Sequence, residues 1–303
     1  MNTFVALDVG GTSMKGGLVA ADGALVAAEA RPTGRERGPD AVVEEILAFA
    51  EHLAAGAGGG APVAAGIAVP GIVDEANGTA VYAANLGWRD VPLRDLLAAR
   101  LGMPVGVGHD VRTGGLGEAA YGAGRGRGDF LFVPLGTGIA AAVVIGDSPY
   151  PGATGAGGEI GHMVVRPGGE PCPCGQRGCL EVYASAAALP RRYGDTGLRT
   201  EEVLERAEAG DPEALRVWHE ALDALADALT AATMLLDPAV VVLGGGLAES
   251  GDRLLVPLTA RLADRFTFRA PPPLVRAALG HRAGMFGASI LAERAWQSSR
   301  APV

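Results

Sequence analysis

One histidine and three cysteines fall within eighteen residues of this 303-residue chain: His162, Cys172, Cys174 and Cys179, in the segments Gly158-Glu159-Ile160-Gly161-His162 and Cys172-Pro173-Cys174-Gly175-Gln176-Arg177-Gly178-Cys179-Leu180-Glu181. Three thiolates and one imidazole complete a tetrahedral zinc site with no open position, so such a metal folds a loop rather than doing chemistry. The Pro, Gly, Gln and Arg neighbours argue against plain apolar burial of these thiols. Ordering that loop would fix Glu159 and Glu181 in space. Carboxylates, and the second nitrogen of a metal-bound His162, are good partners for sugar hydroxyls.

A second set of residues suits phosphate. The run Phe4 to Val9 ends in Asp8-Val9-Gly10-Gly11-Thr12, with Lys15 four residues beyond the second glycine. Unhindered backbone N–H groups at Gly10, Gly11 and Thr12 can approach a phosphate while Asp8 faces a hydrated cation and Lys15 adds a point charge. Lys15 is the single lysine of the chain. A matching loop, Leu135-Gly136-Thr137-Gly138, follows a similar run 126 residues later, and Gly244-Gly245-Gly246 follows a third. Two Gly/Thr loops and a third suited to a base or ribose predict a nucleotide, ATP.

Phosphoryl transfer also needs a carboxylate that orients the attacking hydroxyl and accepts its proton. Asp110, in His109-Asp110 after a short strand, is the candidate. Its competing role is the N-cap of the helix that follows. Asp74 and Asp90 compete for the same chemistry but lie in turn-like contexts.

The elements that must position these residues alternate in type. Strands are expected at Phe4–Val9, Gly17–Ala20, Ala64–Val69, Val105–Val107, Phe130–Leu135, Ile139–Ile145 and Pro238–Leu243. Helical periodicity marks Asp40–Ala55, ended by the glycines of 56–60, then Pro92–Leu101, Val111–Tyr121 and Met285–Trp296. Asp211-Pro212 starts the longest helix, with Leu215, Trp218, Leu222, Leu225, Leu229, Ala232 and Leu235 on its core face. Strand, glycine turn and strand occur at the head of both halves, which predicts a duplicated α/β domain. The reading is an N-terminal domain of 1–112, completed by a C-terminal helix in 285–303, and a C-terminal domain of 113–284.

Composition narrows the partners. A net charge of −9 opposes binding to nucleic acid or an anionic membrane. No run of about 18 apolar residues and no signal-like leader is apparent, so a cytoplasmic location is expected. Three clustered cysteines are a poor disulfide framework.

Together, Asp8-Val9-Gly10-Gly11-Thr12 with Lys15, Pro70-Gly71-Ile72-Val73-Asp74, Asn85-Leu86-Gly87-Trp88, Leu135-Gly136-Thr137-Gly138, Gly158 to His162, the cysteine cluster with Glu181, and Leu243-Gly244-Gly245-Gly246 resemble the ROK family, and within it the bacterial glucokinases. The resemblance implies the actin-like ATPase fold, of ribonuclease H-like topology, with two α/β domains around a cleft, the final helix packing on the first, and a homodimer. It implies ATP with Mg²⁺, structural Zn²⁺ on His162, Cys172, Cys174 and Cys179, and transfer of the γ-phosphoryl to the 6-hydroxyl of glucose or a related hexose. By position Asp110 matches the base, and Glu159, His162 and Glu181 match hexose contacts, with Gly71 and Asn85 nearby.

One departure concerns specificity. The family's glucokinases usually carry Asn before the base, where it contacts sugar hydroxyls; this chain has His109, followed by Val111-Arg112-Thr113. A different donor and acceptor set at a hydroxyl-reading position raises an amino-sugar acceptor, such as glucosamine, 3-amino-3-deoxyglucose or N-acetylmannosamine. A sugar-responsive transcriptional regulator is the reading from another functional class.

Overall fold

The structure, a computed structural model, describes residues 2–56 and 61–300. In chain order its elements are β1 (Thr3–Val9), β2 (Ser13–Ala20), β3 (Leu25–Pro32), α1 (Pro39–Ala55), β4 (Ala64–Val69), β5 (Ile72–Asp74), β6 (Thr79–Ala83), β7 (Trp88–Val91), α2 (Leu93–Leu101), β8 (Val105–His109) and α3 (Asp110–Tyr121). There follow β9 (Phe130–Pro134), β10 (Ala142–Ile145), β11 (Ser148–Pro149), α4 (Glu181–Ala184), α5 (Ala188–Tyr193), α6 (Thr200–Glu208), α7 (Pro212–Leu236), β12 (Val241–Gly244), α8 (Gly245–Ala248), α9 (Asp252–Arg265), β13 (Leu274–Arg276) and α10 (Ala283–Arg300). Gly56 closes α1; the rest of the glycine run expected to end it, residues 57–60, lies outside the described residues, as do 301–303 of the expected C-terminal segment.

The chain packs as two compact units. The first runs to Arg125 and includes Ser148–Ala156 and the segment from His281 on; the second comprises Gly126–Asp147 and Gly157–Gly280. The boundary read from the sequence at 112 and 113 falls inside α3, all of which belongs to the first unit. The reason is packing on α10: a Cβ on Gly287 would lie 1.7 Å from the Thr113 carbonyl oxygen, and one on Gly117 would lie 2.4 Å from that of Ala283. The two helix backbones are in contact, which only glycine allows.

The first unit's main sheet has the order β3-β2-β1-β4-β8, with β1, β4 and β8 parallel and β2 antiparallel to β1. β4 is buried along its whole length, so it reads as a continuous apolar run rather than an alternation. One face carries α1 through Ile46, Phe49, Ala50 and Leu53, packed with Val5, Leu7 and Leu18. The other carries α10, which approaches the strands at Gly66 and Gly106, where a Cβ would meet the Ala288 and Leu291 carbonyl oxygens at 1.9 and 2.4 Å. A small antiparallel sheet, β5-β6-β7, follows β4.

The second unit repeats the plan. Its strands run β10-β9-β12-β13, the counterpart of β2-β1-β4-β8, with β9, β12 and β13 parallel and β10 antiparallel. Its core is closed by α7. Asp211 caps that helix, its Oδ1 accepting from the N–H groups of Glu213 and Ala214 at 2.9 and 3.1 Å, and Pro212 follows. Trp218, Leu222, Leu225 and Leu229 are buried as expected, whereas Leu235 is 83% exposed because it falls in the last turn, before the left-handed Asp237 ends the helix. Among the described residues no helix is long and apolar enough to cross a membrane.

Candidate active site

In the first unit, parallel pairing brings the candidate residues to one edge of the sheet. Asp8 pairs with Ala68 and Val69 pairs with His109, so Asp8, the Gly10–Thr12 turn, Gly71 and His109-Asp110 lie at the carboxyl ends of three adjacent strands. Such edges are where open α/β sheets bind ligands. The turn is held by Gly10 N–H donating to Ser13 O at 2.9 Å, and by the Thr33 hydroxyl donating to Gly10 O at 2.7 Å. Asn85 reaches the same turn, its Nδ2 3.1 Å from where a Cβ on Gly11 would stand. Gly71 has φ +95° and lies against the Tyr82 carbonyl oxygen, 2.1 Å from where its Cβ would be.

Lys15 is not in the glycine loop. The strand expected from Gly17 begins at Ser13, because the ladder to β1 continues to Val9↔Met14, and Lys15 stands on β2 directly opposite Asp8. Cross-strand partners share a face. Burial pushes the Asp8 carboxyl up to about 6, and the Lys15 ammonium opposes that shift. A half-buried carboxylate with one cation beside it fits a site for further positive charge.

Asp110 is the first residue of α3, and His109, not Asp110, is its N-cap. The His109 Nδ1 accepts from Arg112 N–H at 3.5 Å, while Nε2 lies 3.3 Å from Asp110 Oδ1. Asp110 Oδ1 also accepts from Val111 N–H at 2.7 Å. Two residues outside the expected set support this corner. Glu75 Oε1 accepts from His109 N–H at 3.3 Å and from Arg112 Nε at 2.9 Å, and Arg112 Nη1 donates to Gly155 O at 2.8 Å. Arg112 is 3% exposed, and a buried guanidinium needs such partners. An arginine three residues after a strand was the visible signal; its acceptor on another hairpin was not.

In the second unit, β9 and β12 are parallel with Gly244 opposite Pro134, so the Gly136–Gly138 turn and Gly245 leave neighbouring carboxyl ends. Leu135 N–H donates to Gly244 O at 2.8 Å. Gly245, at φ +76°, would set a Cβ 2.5 Å from the Leu135 carbonyl oxygen, so the approach requires glycine. Gly245 opens the four-residue helix α8 rather than a loop. The strand expected from Ile139 begins at Ala142, because Ile139 bridges Leu135 across the turn and Ala141 N–H donates to Gly158 O at 2.7 Å.

Those contacts join the turn to the predicted metal loop. Gly158 and Gly161 abut the carbonyl oxygens of Ala141 and Ile139, where Cβ atoms would stand 1.9 and 2.0 Å away, placing Glu159 and His162 beside the turn. Glu181 Oε2 accepts from Ile139 N–H at 2.9 Å. The donor atoms of His162, Cys172, Cys174 and Cys179 all lie within 4.8 Å of one another, a set that could hold a metal ion. Cys172 Sγ is 3.7 Å from His162 Nδ1, and Cys174 Sγ is 3.7 Å from Cys179 Sγ. Burial, then the neighbouring thiols, push Cys179 up to about 12, a cost that a cation at the centre of the group would reverse. With Nδ1 facing the sulfurs, Nε2 of His162 lies on the opposite edge of the ring.

Glucokinase of Thermotoga maritima is 35% identical to this chain over 313 residues, covering 96% of this chain and 98% of its own length. Among solved structures, a ROK family glucokinase from Streptomyces griseus in complex with glucose and AMPPNP is 30% identical, covers 97% of this chain and all of its own, and superposes with a TM-score of 0.84. A ROK hexokinase from Thermus thermophilus is 34% identical with a TM-score of 0.82, covering 96% of this chain and 98% of its own. These likenesses assign the actin-like ATPase fold that the family resemblance implied. Residues 4–295 match the sequence model described as the ROK family, and to that family this chain belongs.

Proposed function

We propose that this protein is an ATP:hexose 6-phosphotransferase acting on glucose or a closely related hexose. The observation that carries the reading is the carboxylate of Asp110 at the carboxyl end of β8, accepting from Val111 N–H with His109 Nε2 3.3 Å away, on the same sheet edge as the Gly10–Thr12 turn. Glucokinase relatives of nearly equal length support the same acceptor.

Asp110 orients the hexose hydroxyl and accepts its proton as the oxygen attacks the γ-phosphorus, while the bond from that phosphorus to the bridging oxygen of ADP breaks. The backbone N–H groups of Gly11, Thr12, Thr137 and Gly138 face the phosphates, and Lys15 supplies a fixed positive charge. Gly244 and Gly245 admit the nucleoside close to backbone. Asp8 would hold hydrated Mg²⁺, which supplies neutralising charge on the phosphates when bound. Glu159, Glu181 and the Nε2 of His162 bind hexose hydroxyls, with Gly71 and Asn85 near the sugar. His162, Cys172, Cys174 and Cys179 would hold Zn²⁺; four protein donors close the coordination shell, so its role is to order the loop.

The amino-sugar reading arose from His109, whose Nδ1 accepts from Arg112 N–H while its Nε2 lies 3.3 Å from Asp110 Oδ1. A panel of hexoses and amino sugars assayed with ATP and Mg²⁺ tests the acceptor. Glucose or mannose turning over best is expected, and clear preference for an amino sugar would reject the reading. A homodimer and a cytoplasmic site of action complete the proposal; sedimentation of the purified chain tests the former.

A further inference from the structure

β8 is an edge strand, last in the order β3-β2-β1-β4-β8. The N–H of its final residue, His109, donates to a carboxylate rather than to a neighbouring strand, reaching Glu75 Oε1 at 3.3 Å. That oxygen also accepts from Arg112 Nε at 2.9 Å, and Arg112 Nη2 lies 2.8 Å from it, closing an ion pair. One carboxylate oxygen thus grips the chain on both sides of Asp110, at His109 and at Arg112. Glu75 sits in the turn between β5 and β6, and that turn is itself braced. Arg94 of α2 donates to the backbone carbonyls of Glu75 and Ala76 at 2.7 and 2.6 Å, and the Asp74 carboxylate accepts from Asn77 N–H and Nδ2. The far end of the guanidinium is fixed too: Arg112 Nη1 donates to Gly155 O at 2.8 Å, and Arg112 is 3% exposed. A buried guanidinium keeps its place only while such partners hold it.

We infer that Glu75 and Arg112 are positioning residues for Asp110: a carboxylate from another hairpin sets where the β8–α3 junction stands, and with it the backbone from which the Asp110 side chain projects. This rests on the assignment of Asp110 as the base. The first turn of a helix has N–H groups without intrahelical acceptors, and an edge strand has one side of its backbone without a ladder, so such a junction is held by few backbone bonds of its own. A general base must stand within hydrogen-bond reach of the proton it takes, and a displacement of about 1 Å is enough to cost rate. Neither Glu75 nor Arg112 has to touch the hexose for this. The guanidinium fork suits the task, because it serves Glu75 and Gly155 from one side chain, which an ammonium could not do with the same geometry.

The test measures kcat, the KM values for glucose and ATP, and thermal unfolding for full-length Glu75→Ala, Glu75→Gln, Asp110→Asn and the double variant Glu75→Ala with Arg112→Met. Glu75→Ala leaves a buried guanidinium without its carboxylate and is expected to lower Tm sharply. The double variant removes the charge together with its partner, so its Tm should return toward the parental value while the junction stays unanchored. Its kcat is expected about 10²-fold below parental, with both KM values unchanged. Glu75→Gln keeps an oxygen that accepts from His109 N–H and Arg112 Nε, and should recover most of kcat even though its Tm falls with the lost charge. Catalysis then follows the hydrogen bonds while stability follows the charge, a split that a merely structural role would not produce. Parental kcat in the double variant, a defect lying wholly in KM, or a Glu75→Gln enzyme as slow as the double variant overturns the inference. Asp110→Asn separates the two assignments. If it retains turnover, the base assignment fails; if it is inactive while the double variant turns over at the parental rate, only the positioning role fails.

Discussion

A Cβ on Gly284 of α10 would stand 2.5 Å from Cγ of Asp8 and 2.6 and 2.8 Å from its two carboxylate oxygens. The last helix therefore forms the wall against which the Asp8 carboxylate rests. Gly284→Ala is expected to push that carboxylate off its position and to destabilise the fold by about 1–3 kcal/mol through overpacking. Thermal unfolding and kcat measured together check this; parental values of both would show that the carboxylate is not pinned.

Asp8 itself is held at a cost. Its pKa is raised from an ordinary 3.8 to about 6 by burial. A carboxyl that is harder to ionise folded than unfolded leaves stability intact below about pH 4 and removes it as the pH rises through about 6. The full effect is about 3 kcal/mol above that window. Asp8→Asn is expected to raise stability above pH 6, to flatten its dependence between pH 4 and 6, and to abolish phosphoryl transfer. Unfolding curves of the two proteins at pH 5 and 7.5 should diverge with rising pH; convergence would refute the buried-charge argument.

The Cys172, Cys174, Cys179 and His162 group is expected to bind one zinc per chain, measured by atomic absorption. Chelation or Cys179→Ser should release it, lower Tm and remove hexose binding, because the loop that carries His162 and leads into Glu181 loses its crosslink. A fully active metal-free protein would contradict this.

Gly245→Ala combines a positive φ with a Cβ 2.5 Å from backbone that cannot retreat. A cost of about 1–3 kcal/mol in stability is expected. The KM for ATP should rise more than that for the sugar, since Gly245 belongs to the proposed nucleotide side. An equal rise in both would place it elsewhere.

Much of this was readable from local chemistry. Gly10–Thr12, Gly136–Gly138 and Gly244-Gly245 follow buried strands whose apolar runs are continuous, and the Cys/His spacing names its own ligand set, because chelation by near neighbours in the chain needs little tertiary help. Asp211-Pro212 likewise announces α7. Of the sequence-level placements that changed, two show how tertiary contacts decide. Lys15 moved from loop to strand because the β1–β2 ladder runs on to Met14, and the division near residue 112 moved past α3 because glycines on α3 and α10 let the two helices touch.

The sequence by itself determined which residues could hold phosphate, metal and proton, since those depend on residue type and short spacing. Only the tertiary structure decided which nitrogen of His109 faces Asp110, that Glu75 and Arg112 anchor that corner, and that Gly284 sets the wall behind Asp8. The contacts of Glu75 with Arg112, of Arg112 with Gly155 and of Gly284 with Asp8 join residues far apart in the chain, and their distances come from how strands, helices and loops pack rather than from sequence order.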